Sequence, residues 1–174
     1  MSYSYEATDR KQVIAKWSRR ILSRLREVLR EEPNESRLRG VMNNLLEEFC
    51  RKVGVKAFLK EEYTLAEGGR ADAVFERLVI EYKRPGVLKR PMDKSTQEAV
   101  RQLEGYLEGL ARETHRPLRD LAGVVLDGQY VIFVRHSGSQ WIEEGPWEVN
   151  EHSVGRLLSW LMGLGGKALT AENL

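Results

Sequence analysis

Residues 69–86 read GRADAVFERLVIEYKRPG, and no other stretch constrains the fold as tightly. Two runs of strand-forming residues flank Glu76–Arg77, and Pro85–Gly86 ends the second. Residues 70–76 and 78–84 are therefore predicted to form a β-hairpin. Side chains two apart share a face of a strand, so Leu78, Ile80 and Tyr82 point one way, and Val79, Glu81 and Lys83 the other. The mixture of strongly apolar residues with an acid and a lysine marks this strand as interior to a sheet. Asp72, on the first strand, lies toward the open end of the hairpin, where pairing would bring it near Glu81; one sequence does not settle that register.

The rest of the chain supplies what covers such a sheet. Apolar residues recur at helical spacing over 9–32 (Val13, Ile14, Trp17, Ile21, Leu25, Val28, Leu29), with Asp9 as a cap, until Pro33 breaks the pattern. A second helix is expected from about Asn34 to Val53, with Leu38, Met42, Leu46 and Phe49 inward and Gly54 as its stop. An extended segment precedes the hairpin. After it come a loop, a helix over 95–113 and a second hairpin, LAGVVLDGQYVIFVRH, turning at Asp127–Gly128. SQWIEEGPWEV reads as one more short strand or loop, and 151–164 as a last helix. This order predicts an α/β domain, a central mixed sheet flanked by helices. The boundaries are a basic amphipathic helix over 1–33, a core over 34–165, and a tail over 166–174. LGGKALTAENL reads as the start of a further helix capped by Thr170, the pattern either of a domain excised from a longer chain or of a frayed native tail.

Composition excludes several classes. A chain of 174 residues, 41% of them apolar, suits one domain with a true core. Its longest apolar runs fall far short of the ~20 residues of a membrane helix. MSYSYEATDR lacks the apolar stretch of a signal peptide, so the cytoplasm is the expected setting. The single cysteine, Cys50, rules out an internal disulfide or a multi-cysteine zinc site and reads as a small core residue. His115, His136 and His152 share no metal spacing, and neither a P-loop nor a Gly-x-Ser-x-Gly elbow occurs. The four tryptophans read as core or edge packing. Net charge is only +2, but residues 10–30 carry eight Lys/Arg against Glu27 alone, which reads either as a solvated helix face or as a basic patch.

Asp72, Glu81 and Lys83 suggest chemistry. Two carboxylates at close range repel and resist desolvation, and a hard divalent cation such as Mg²⁺ relieves both costs. An adjacent lysine can polarise water or stabilise charge on a phosphate. The same three residues would also make an ordinary cross-strand salt bridge.

GRADAVFERLVIEYKRPG resembles the PD-(D/E)XK nuclease superfamily, with Asp72, Glu81 and Lys83 on its motif and Ala71 where the proline would stand. The resemblance implies a restriction-endonuclease-like αβββαβ core. It implies Mg²⁺, with Mn²⁺ able to substitute, held by Asp72, Glu81, the Tyr82 carbonyl and an acid of the preceding helix. Glu35, on the face of Leu38 and Met42, is the choice for that acid; Glu47 and Glu48 are the rivals. QLEGY places Gln102 and Tyr106 four apart on one helical face and resembles the Gln-x-x-x-Tyr motif of a RecB-like branch, where the glutamine supports the site. From Asn34 onward the chain is similar to the amino-terminal nuclease region of restriction enzymes fused to an N6-adenine DNA methyltransferase. That likeness implies double-stranded DNA as substrate and linked methyltransferase and target-recognition regions. Cutting both strands would ask for a transient homodimer. Arg70, Arg84 and Lys89 are the candidates for backbone phosphates. The competing readings are a non-catalytic nucleic-acid-binding or assembly module on the same fold, and a nuclease acting on RNA or damaged DNA.

Overall fold

The computed structural model describes residues 2–56, 59–66 and 68–164, residues 2–8 by backbone alone. The proposed tail and its Thr170 cap lie outside the described residues. The chain forms α1 (Ser2–Arg30), α2 (Glu35–Val53), β1 (Leu59–Thr64), β2 (Arg70–Phe75), β3 (Leu78–Tyr82), α3 (Lys94–Thr114), β4 (Ala122–Leu126), β5 (Tyr130–His136), β6 (Trp141–Glu148) and α4 (Glu151–Leu164), with a short 3₁₀ turn at Leu118–Asp120. No helix among the described residues is long and apolar enough to cross a membrane.

The six strands make one mixed sheet in sequence order, parallel only at β3–β4 and antiparallel elsewhere. The parallel step needs a crossover, and α3 supplies it. The alternation of β3 sorts its side chains as the sequence predicts. Leu78, Ile80 and Tyr82 join the core beneath α1, α2 and α4, while Val79 joins the core beneath α3. All five β3 residues are buried, so the strand is interior.

Capping fixes the helix ends. Asn34 accepts the Arg37 N–H at 2.8 Å and begins α2. Asn150 and Ser153 cap α4 reciprocally at 2.9 Å. At the other end of α4 the buried Arg77 guanidinium donates twice to the Leu164 carbonyl, at 3.0 and 2.7 Å. β3 stops at Tyr82, two residues short of the expected strand, and the largest boundary differences are at the two ends of α1. α1 runs back to Ser2, since no Gly or Pro interrupts it before Asp9. It also ends at Arg30, because Pro33 disfavours helical backbone before it and Glu32 takes φ +52°. SQWIEEGPWEV becomes the eight-residue edge strand β6.

Candidate active site at the fork of β2 and β3

β2 and β3 pair only from Phe75–Leu78 to Ala73–Ile80. Beyond Ala73, β2 stays with β1 through Ala71–Tyr63 and Arg70–Thr64, and so leaves β3. Asp72 and Glu81 stand at this fork. The Asp72 carboxylate takes over from the lost ladder, its Oδ2 accepting the Tyr82 N–H at 2.8 Å. β3 instead runs on along β4, with the Lys83 N–H bonded to the Leu126 carbonyl at 2.9 Å.

Glu81 is 4% exposed. Its Oε1 accepts from Lys83 Nζ at 3.1 Å, and its buried Oε2 has no hydrogen-bond partner in the chain. Burial first, then the charge of Asp72, pushes its carboxyl up to about 7; Lys83 opposes the rise and Glu35 adds to it. Lys83 is shared, donating also to Gln102 Oε1 at 2.9 Å. Gln102 in turn donates from Nε2 to the Tyr106 hydroxyl at 2.6 Å. The i, i+4 spacing in α3 thus becomes a relay from lysine to tyrosine. The Tyr106 ring closes over Gly69, whose φ is +89° and where a Cβ would come within 3.0 Å of Cε1. Any other residue there would be strained and would push the ring away.

The remaining sequence-predicted residues divide. Glu35 is half-buried at the first turn of α2, near enough for its charge to act on Glu81. Its rivals are engaged elsewhere: Glu48 pairs with Arg20 at 2.9 Å, and Glu47 raises the buried Cys50 thiol, whose main cause is desolvation. Arg70 faces Glu62 at 3.6 Å. Arg84 and Lys89 are exposed on the loop after β3.

Arg39 escaped the sequence reading, and Asp127 was read only as a turn former. Arg39, one turn beyond Glu35, bonds Asp72 Oδ1 at 3.1 Å and lies 3.4 Å from Glu62. It is the cation now facing Asp72, and its spacing from Glu35 was the only signal available. Asp127, fully buried, accepts the N–H groups of Gly86, Leu88, Gln129 and Tyr130. It ties the loop after Lys83 to the β4–β5 turn.

Among the described residues no three His, Cys, Asp or Glu side chains converge as a metal cluster. The residues there that could hold a hard cation are two carboxylates, Asp72 and Glu81, and the Tyr82 carbonyl; Glu35 does not complete a group of three with them. The unpartnered Glu81 Oε2 is the observation that favours such a cation.

The Glu81 shift has a consequence for stability. Its folded-state value, about 7, lies above the ordinary 4.5. The folded state therefore binds the extra proton, and the stabilisation present below about pH 4.5 is lost as pH rises through about 7. In metal-free protein, Glu81→Gln should remove this loss, worth about 3 kcal/mol at most. Urea midpoints at about pH 5 and pH 8 check it. Glu104, pushed up to about 8 by burial and by Glu143, adds a decline of its own to both proteins. A decline no smaller in the variant than in wild type would therefore refute the assignment to Glu81.

Neither a protein-family model nor a curated protein matches the chain. Among solved structures, 88% of it superposes on part of a chain in the cryoEM structure of the DrdV–DNA complex, with a TM-score of 0.51 and 15% identity. The chain spans 14% of that neighbour. At this identity the likeness speaks to the α/β fold alone.

Proposed function

We propose that the chain is a divalent-metal-dependent DNA endonuclease domain of the PD-(D/E)XK type, hydrolysing phosphodiester bonds. The observation that carries the reading is Glu81: a buried carboxylate with one oxygen unpartnered, placed beside Asp72 and Lys83 where the sheet forks. An unmatched buried charge is costly, so the free oxygen calls for a partner that the described residues do not supply. The superposition on the chain from a DNA complex adds support for DNA as the substrate class.

Asp72, Glu81 and the Tyr82 carbonyl would hold Mg²⁺ or Mn²⁺, with Glu35 reaching the cation through water. The cation supplies charge neutralisation on the scissile phosphate and a more acidic water. Asp72 is oriented by the Tyr82 N–H and can exchange Arg39 for the cation. Lys83 directs its ammonium, aligned by Glu81 and Gln102, at negative charge growing on the phosphate. Tyr106 locks Gln102 and limits side-chain motion at the relay. Arg84 and Lys89 stand on the exposed loop next to Lys83 and would contact neighbouring phosphates, giving position without sequence readout. Methyltransferase and target-recognition regions in a longer chain, and a transient homodimer, complete the proposal as a restriction–modification enzyme.

The test is nicking and linearisation of unmethylated supercoiled plasmid with Mg²⁺ or Mn²⁺. Wild type should cleave, and Asp72→Ala should be at background while keeping its fold by circular dichroism. Equal cleavage by the two proteins would remove Asp72 from the site. Duplex binding without cleavage under either metal would favour the binding-module reading.

A further inference from the structure

The charge of α1 is not spread evenly. On a helical projection Lys16, Arg19, Ser23, Arg26 and Arg30 fall in one straight outer stripe, opposite the buried Trp17, Ile21, Leu25 and Val28. The stripe is about 21 Å long at 1.5 Å per residue, roughly six phosphate steps along one DNA strand. Two acids border it, Glu27 and Glu151; Glu27 pairs with Arg24 at 2.9 Å. Arg19 meets Glu151 at 3.3 Å, but both side chains are more than half exposed, and such a pair is easily exchanged. Lys16, Arg26 and Arg30 are exposed with no acidic partner among the described residues. Arg19, Arg26 and Arg30, together with Glu27 and Glu151, line a hollow of about 640 Å³ between α1 and the start of α4.

The stripe ends beside the β4–β5 turn, which Asp127 ties to the loop after Lys83. Leu29 abuts Gly128 of the β4–β5 turn, 3.1 Å from where a Cβ would stand, and Leu38 of α2 meets the same glycine. Glu31, just past α1, pairs with Arg37 in the turn of α2 between Glu35 and Arg39. We propose that the outer face of α1 is a track for DNA backbone, carrying the duplex from the Asp72–Glu81 fork across the β4–β5 turn onto Arg30, Arg26, Arg19 and Lys16. The identity of the partner rests on the nuclease reading; the surface reads charge and no sequence.

The experiment measures binding of a short duplex to the full chain by fluorescence anisotropy in EDTA, from about 50 to 200 mM KCl. Each lost phosphate contact flattens the slope of log K against log salt by about 0.9. Arg26→Ala/Arg30→Ala should therefore lower its magnitude by about 2. Arg51→Ala/Lys52→Ala, an equal charge loss at the far end of α2, should leave it unchanged. An unchanged slope in the stripe variant, or equal flattening in both, overturns the track. So does wild type binding polyglutamate through the stripe and not the duplex, which would assign the face to an acidic protein. Plasmid cleavage by wild type separates the two readings. Cleavage with an unchanged slope removes the track and leaves the nuclease; a flattened slope without cleavage removes the nuclease and keeps the track.

Discussion

Lys83→Ala should lower the rate of DNA cleavage by about 10²–10³-fold, the cost of deleting one preorganised donor to a charged transition state, with little change in KM. The backbone of Lys83 is held by the Leu126 carbonyl at 2.9 Å, a bond that alanine keeps, so the strand and the fold should survive. What alanine loses is the ammonium between Glu81 Oε1 and Gln102 Oε1. Because those two acceptors already aim it, little reorganisation is left for the moment of reaction. Arginine should not rescue the rate: its planar fork is larger and cannot occupy the lysine's place between the two oxygens. Removing Lys83 also removes the charge that holds Glu81 down, so the Glu81 carboxyl should rise further in the variant. A cleavage rate within about threefold of wild type would take Lys83 out of the reaction, since such a change is worth well under 1 kcal/mol.

Much of this site was legible because it obeys short periods. The two-residue period of LVIEYK puts Glu81 and Lys83 on one side, and the structure has them bonded. The four-residue period of QLEGY puts Gln102 and Tyr106 in register, and they too are bonded. The fork was not legible. Whether Asp72 pairs with Glu81 or peels away depends on β1, whose register against β2 is set by contacts distant in sequence. Arg39 stayed hidden for the same reason: a charge on a half-exposed helix turn gives no sign that a strand from another part of the chain will bring an acid to it. Asp127 was visible only as a turn former before glycine. Its role on the loop after Lys83 arises from the parallel β3–β4 pairing, which brings residues some forty apart into contact. The basic run of α1 was legible as composition; its straightness and its end point needed the packing of Leu29 and Glu31.

Asp127→Ala should cost about 4 kcal/mol of folding stability, a large part of the 5–15 kcal/mol a domain of this kind possesses. The carboxylate is fully buried and accepts four backbone N–H groups: Gly86 at 3.1 Å and Leu88 at 3.0 Å on Oδ2, Gln129 at 2.9 Å and Tyr130 at 2.7 Å on Oδ1. Hydrogen bonds to a charged acceptor are each worth about 1.5–3 kcal/mol, and a donor left buried and unpaired costs about 1–3. Those losses do not add fully, because Gln129 is exposed and water can reach its N–H. Asp127→Asn keeps one acceptor oxygen but turns an amide toward the other pair of donors, so it should fall between alanine and wild type. Urea unfolding reads the totals, and amide hydrogen exchange locates them. The Gly86 and Leu88 amides should lose protection in the alanine variant, showing that the loop carrying Arg84 and Lys89 has come away from the β4–β5 turn. Full protection at Gly86 and Leu88, or a loss under about 1 kcal/mol in the alanine variant, would show that the loop is held by Leu88 packing and not by the carboxylate.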